Sequence, residues 1–187
     1  MIPRTALARY ALVALVVMLV DLGSKQVATA LLGAYGEVPL AQRLTLLLVY
    51  NTGNAGGGTI GPFTWHVNVA LTVLAVSLMA AVVAPLAQVD RLATYALGTV
   101  SGGALGNLAS LLFGPPGVAD FLGVQLSDDV MVVANLADVA LWFGALLLAP
   151  VALSIVRALR EEARGTARQR SGVSVAPPLQ QPLQNPM

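Results

Sequence analysis

Cysteine is absent from this chain of 187 residues, histidine occurs once, at His66, and charged residues make up only 10% of the sequence. The first absence removes disulfides, thiolate nucleophiles and cysteine-ligated metal or iron–sulfur centres together. The second removes a multi-histidine metal site within one chain. The third is the most restrictive, because a soluble domain carries about 25% charged residues. With 57% hydrophobic residues and a mean hydropathy of +0.78, a water-soluble globular protein is nearly excluded. A formal net charge of +1 supplies neither a basic footprint for nucleic acid nor an acidic one for cationic substrates. What the sequence has instead is long apolar runs. The natural unit of counting is then the membrane span of about 20 residues, and four fit, with room for one sizeable loop.

The runs place spans at about residues 10–32, 66–86, 92–113 and 130–156. The first carries Asp21 and Lys25 near one end and is preceded by Arg4 and Arg9. A cleaved signal peptide is the alternative reading, with Ala28-Thr-Ala30 as the cut site, but Asp21 and Lys25 would then interrupt the segment between apolar region and cut. The second run carries no charge and reads as ending at Pro85. Between the first two spans, residues 33–65 differ in character: Arg43-Leu-Thr-Leu-Leu-Leu-Val-Tyr50 followed by the glycine-rich Asn51 to Gly58 predicts a short sheet or hairpin. An open sheet edge cannot face lipid, so this piece belongs at the membrane surface, packed on the helices. Residues 158–187, basic and then Pro/Gln-rich, read as a disordered tail, leaving 1–157 as the membrane domain.

Orientation follows from the basic residues. Arg4, Arg9, Arg91, Arg157, Arg160, Arg164, Arg168 and Arg170 fall on one side, and only Lys25 and Arg43 on the other. Both termini are therefore expected in the cytoplasm. The acids show the reverse bias, with Asp21, Glu37, Asp120, Asp128, Asp129 and Asp138 in or near the outer half.

Charge inside a span costs about 2.5–3.5 kcal/mol on insertion scales, so each such group needs a partner or a task. Asp21 has Lys25 one helical turn on, and the bland reading is a structural ion pair. Asp138, in Asn135-Leu-Ala-Asp138, has no basic residue before Arg157 and reads as lying several residues inside the fourth span, with Asn135 on the same face. Asp120 sits in the apolar stretch Gly117-Val-Ala-Asp-Phe-Leu122 with no cationic neighbour. Two carboxyls in apolar surroundings at one membrane level invite a pair sharing a proton, as in aspartic proteases. The ionised member takes a proton from water; the protonated member polarises a carbonyl and later assists the leaving amine. From the residues alone, a buried structural carboxyl or an ion-pathway residue remains the alternative, because structural networks also collect unusual carboxylates.

The third span repeats Gly98, Gly102, Gly106 and Ser110 every four residues, a small-residue ridge suited to close helix packing, with Asn107 placed to hydrogen-bond across to another helix. Serine–lysine chemistry is weak here: Ser24 adjoins Lys25 on a different face, and Ser101 or Ser110 would need Lys25 brought to them. His66 reads as an interface residue. The loop Gly53 to Gly58 lacks the lysine and flanking elements of a phosphate loop.

Taken together, these residues resemble the lipoprotein signal peptidases (signal peptidase II), four-span aspartyl proteases of the bacterial inner membrane, over about residues 8–157. Asp21-Leu-Gly-Ser-Lys25 is similar to the family's Asp-x-x-x-Lys, and Asn51-Thr-Gly-Asn-Ala55 to its Asn-x-Gly-Ala-Ala. Gly102-Gly-Ala-Leu-Gly-Asn107 is similar to Gly-Gly-Ala-x-Gly-Asn, Val118-Ala-Asp-Phe121 to Val-Val-Asp-Phe, and Asn135-Leu-Ala-Asp138 to Asn-x-Ala-Asp. Singly these motifs are weak; five in order on four spans are specific. The resemblance implies Asp120 and Asp138 as the catalytic carboxyls, with Asp21, Lys25, Asn51, Gly53, Asn107 and Asn135 positioning them or the substrate. It implies hydrolysis just before the diacylglyceryl-modified cysteine of a prolipoprotein, contact with membrane lipids, no cofactor or metal, no nucleic acid, and a site complete in a monomer. Departures mark a divergent member: the family's Asp-Arg after Gly-Asn-Leu-x is here Ser110-Leu111, its loop aromatic is Gly56, and the phenylalanine before the last motif is Ala134. The rival expectations are a non-catalytic homologue binding lipidated signal peptides and, from another class, a small proton-coupled transporter, for which no inverted repeat is apparent.

Overall fold

The computed structural model of the protein describes residues 4–52 and 58–170. Its elements run α1 (Arg4–Tyr35), β1 (Val38–Ala41), β2 (Leu44–Asn51), α2 (Thr64–Val89), α3 (Leu92–Phe113), β3 (Val118–Ser127), β4 (Val130–Ala134) and α4 (Leu136–Arg170). All four helices are long and apolar enough to cross a bilayer, and the chain is a multi-pass membrane protein, mainly helical. α3 coincides with the predicted third span, and α1 and α2 extend the first two by a few residues. The second span does not stop at Pro85: α2 runs on to Val89.

The strands form one antiparallel sheet in the order β1-β2-β3-β4. The hairpin expected within residues 33–65 supplies only half of it. The other half, β3 and β4, comes from between α3 and α4, and β2 pairs with β3 in a register that sets Val49 opposite Asp120 and Asn51 opposite Val118. This corrects the expected fourth span at 130–156. Val130-Met-Val-Val133 is rich in β-branched residues, which favour a strand, and the Asp128-Asp129 connection turns it back on β3, pairing Leu122 with Ala134. The helix cannot begin earlier because Asn135 caps it. Asp138 N–H donates to Asn135 Oδ1 at 3.0 Å and Asn135 N–H to Asp138 Oδ2 at 3.1 Å, a reciprocal capping arrangement. Asp138 therefore stands in the first turn of α4, not several residues inside a span. The disordered tail expected from residue 158 is also corrected. α4 continues to Arg170 through Ala, Leu, Arg and Glu, all strong helix formers, and residues 171–187 lie outside those described.

α3 is the most enclosed helix. A methyl group added to Gly102 would lie 2.6 Å from Ala14 O, and one on Gly103 2.6 Å from Ala137 O, so α1 and α4 approach the α3 backbone more closely than any side chain would permit. The predicted ridge packs as expected, with Gly98, Gly102 and Gly106 all against α1. Away from α3 the helices present bare apolar side chains, such as Leu12, Leu71 and Leu146, at 60–70% exposure. Water would penalise such surface, whereas lipid does not. The sheet rests on the end of α1, where Ala28, Leu32 and Phe121 form a buried cluster flanked by Leu46, Leu48 and Leu122.

Candidate active site

Where the sheet meets the helices, the few charges of the chain converge. In α1, Lys25 Nζ donates to Asp21 Oδ2 at 2.7 Å, with both side chains almost fully buried. The same ammonium donates to Asn107 Oδ1 of α3 at 2.7 Å, and Asn107 Nδ2 donates to Asp138 Oδ1 at 3.0 Å. Asp21 Oδ1 accepts from the backbone N–H of Ala137, in the first turn of α4, at 2.8 Å. Thus the ion pair read as a local neutralising contact also fastens three helices.

The second carboxyl arrives from the sheet. Asp120, on β3, is 4% exposed, and its carboxylate accepts from Asn135 Nδ2 and from the Asn51 side chain of β2. Asn135, 1% exposed, therefore joins both acids: its carboxamide oxygen and backbone N–H hold Asp138, and its carboxamide nitrogen holds Asp120. Burial pushes the Asp120 carboxyl above the ordinary carboxylate range. The bonds from Asn135 and Asn51 work against this, the negative charge of Asp138 adds to it, and Lys25 draws it back slightly. Asp138 is half-buried and has an N–H donor on each oxygen.

Of the eight residues singled out from the sequence, seven enter this continuous network: Asn51, Asp120, Asn135, Asp138, Asn107, Lys25 and Asp21. Gly53 lies outside the described residues. Sequence reasoning missed the Ala137 N–H to Asp21 link, which no side-chain pattern signals. It also missed Trp65, whose Nε1–H donates to Leu111 O at 3.3 Å and ties α2 to the end of α3. The departure Ser110 is buried, its hydroxyl turned back onto Gly106 O at 3.1 Å, so no orphan charge remains where the family carries an acid. His66 stands edge-on to Trp65, with ring centroids 5.1 Å apart, and takes no part in the network. Among the described residues no cluster of three or more acidic or histidine side chains could hold a metal ion.

Two aspartates joined by one asparagine, between span-length helices and a sheet, define a class of integral membrane protein with a linked carboxyl pair, and comparison with known proteins narrows the class. The sequence model described as signal peptidase (SPase) II matches residues 13–154. A lipoprotein signal peptidase of Burkholderia vietnamiensis is 36% identical over 159 residues, 83% of this chain and 93% of that protein. One of Yersinia pseudotuberculosis is 33% identical over 144 residues, 75% and 83%. A solved bacterial membrane enzyme superposes with a TM-score of 0.64 at 22% identity, covering 77% of this chain and 92% of that one; a second gives 0.61 at 21% identity, covering 83% and 90%. The chain belongs to the signal peptidase II family, a family of peptidases.

Proposed function

We propose that this protein is an aspartyl endopeptidase of the bacterial inner membrane that removes the signal peptide from diacylglyceryl-modified prolipoproteins, cutting just before the lipidated cysteine. The observation that carries the reading is the single asparagine, Asn135, which bonds to both Asp120 and Asp138, with burial raising the Asp120 carboxyl above its ordinary range. Asp138 removes a proton from water, and the resulting hydroxide adds to the scissile carbonyl carbon while Asp120 gives its proton to the carbonyl oxygen. Collapse of the tetrahedral adduct breaks the C–N bond, and the leaving nitrogen takes up the proton first drawn from water as Asp120 regains its own. Asn107, Lys25 and Asp21 position Asp138, and Asn51 positions Asp120. Every group in this chemistry belongs to one chain, so a monomer suffices, and no cofactor is called on. With the arginines on the cytoplasmic side, both termini face the cytoplasm and the sheet, with the site beneath it, faces outward.

The test is cleavage of a diacylglyceryl-modified prolipoprotein by the purified protein in lipid. Signal-peptide release by the wild type that vanishes in both Asp120→Asn and Asp138→Asn is the expected result. Release surviving in either variant overturns the shared-proton mechanism, and no release by the folded wild type favours a homologue that binds lipidated signal peptides without cutting them. The Ser110-Leu111 departure gives that second outcome its interest.

A further inference from the structure

Beyond Asp138, α4 presents two opposite faces. One packs on α3, where Gly144 meets Ala96 O and Val100 and Ala137 and Val151 are buried. The other is open: Trp142, Leu146 and Leu153 lie on it, 75%, 70% and 50% exposed. Residues three, four or seven apart share a helix face, and the same spacing continues from Leu153 to Arg157, Arg160 and Arg164, all exposed. A bare apolar stripe thus turns into an arginine stripe without leaving its face. The change also falls at a definite depth. A hydrocarbon core of about 30 Å takes about 20 residues of helix, which carries α4 from Leu136 to about Val156. Arg157 and Arg160 therefore emerge at the level of the lipid headgroups, with Arg164 one turn beyond.

None of these three guanidiniums has an ion pair or hydrogen bond among the described residues, where Lys25 pairs with Asp21 alone. Glu161 stands at the margin of the stripe and Glu162 on another face. Asp90, the acid of the nearby α2–α3 turn, is taken up by Leu92 N–H and the Ser154 hydroxyl. The planar fork of an arginine matches two oxygens of a phosphate, and a juxtamembrane arginine cluster attracts lipids of net negative charge. A soluble anion would match the arginines and leave the apolar half of the face unused, whereas a phospholipid covers both halves at once. We propose that this face of α4 holds an anionic phospholipid, its phosphate accepting from Arg157 and Arg160 and its acyl chains lying along Leu153 and Leu146.

The full-length protein in phosphatidylcholine vesicles, with a trace of phosphatidylglycerol or of phosphatidylcholine bearing a diazirine high in one acyl chain, gives a direct readout. At equal mole fraction the phosphatidylglycerol probe should label peptides within residues 142–160 in excess over the phosphatidylcholine probe, with no such excess on α2. An arginine at an anionic lipid surface contributes about fivefold in association. Arg157→Gln or Arg160→Gln alone should therefore cut the excess about fivefold, and the two together should abolish it. Arg9→Gln, exposed at the same end of the bundle on α1, should leave it intact. Equal labelling of the wild type by the two probes overturns the site, and that result needs no variant to fold. An excess that survives in the folded Arg157→Gln/Arg160→Gln protein also overturns it, as does an equal fall with Arg9→Gln, which would trace the preference to the diffuse field of the whole bundle end. Inorganic phosphate or polyglutamate at constant ionic strength should not displace the probe; displacement makes the ligand a soluble anion and overturns the lipid. Labelling involves no cleavage, so its outcome is independent of the peptidase reading.

Discussion

Two buried polar clusters hold this helical bundle together, and they are built on different principles. In the middle of the bundle, Tyr10 of α1 and Ser101 of α3 share a hydrogen bond of 2.7 Å, with Ser101 also reaching Met79 Sδ of α2 at 3.6 Å. Three helices are joined there by two neutral hydroxyls and a thioether. At the sheet end, α1, α3, α4 and the sheet are joined by three aspartates, a lysine and three asparagines. The first cluster shows how little polarity helix packing in a membrane requires. The second carries far more charge than packing needs, at a desolvation cost that a purely structural joint would avoid. The excess is what marks a site.

The contrast is broken first by substitutions at the excess charge. Asp120→Asn or Asp138→Asn removes the proposed acid/base chemistry, worth about 10²–10⁴-fold, so turnover should fall by about that factor. Because burial raises Asp120, the alkaline limb of kcat/KM against pH should lie above the ordinary carboxylate range. The same shift makes the folded protein less stable as pH rises from about 4, the unfolded carboxylate pKa, through the raised value, and Asp120→Asn should flatten that slope. Lys25→Met is the largest expected loss of stability. It leaves Asp21 buried without its counter-ion, a change of about 3–5 kcal/mol, and Asp21→Asn in the same chain should recover much of it, as thermal unfolding would show.

Steric substitutions come next. A methyl on Gly106 would lie 2.5 Å from Asp21 Oδ2, the oxygen that accepts from Lys25, so Gly106→Ala must displace the Asp21 carboxylate. Overpacking of this kind costs about 1–3 kcal/mol, and here turnover should fall together with stability. Ser101→Ala, at the neutral cluster, removes a hydrogen bond worth about 1 kcal/mol. It should lower the unfolding temperature and leave kcat untouched. Equal effects of the two on kcat would erase the distinction between joint and site.

Much of this was legible in the sequence because scarce charge is easy to see in an apolar chain. The i,i+4 spacing of Asp21 and Lys25 and the glycine ridge of α3 predict their contacts directly. The boundary of α4 was misread although its signal was present: Asn135 followed three residues later by Asp138 is a capping pattern. A run of Val and Met before it satisfies a span by hydropathy alone and a strand by shape. The pairing of β2 with β3 was not legible, because register between distant segments depends on which faces are buried, and no local pattern encodes that. Without that pairing, Asn51 beside Asp120 rested on resemblance.

The smallest expected effect lies at the opposite end of the bundle, where Asp90 joins α2, α3 and α4. Its Oδ1 accepts from Leu92 N–H at 2.9 Å and its Oδ2 from the Ser154 hydroxyl at 2.8 Å. These two bonds, the backbone one first, hold the Asp90 carboxyl below its usual range. A carboxylate whose folded pKa is depressed contributes stability above its unfolded pKa, and that contribution disappears as pH falls through the folded value. Asp90→Asn keeps an acceptor for Leu92 N–H but loses the charge. Unfolding temperatures of wild type and variant should therefore differ by a small constant amount above about pH 5, past the ordinary carboxylate pKa, and converge in stronger acid. A difference that persists in acid would mean that Asp90 acts through packing of the turn and not through its charge, which would place it with the neutral joint at Ser101.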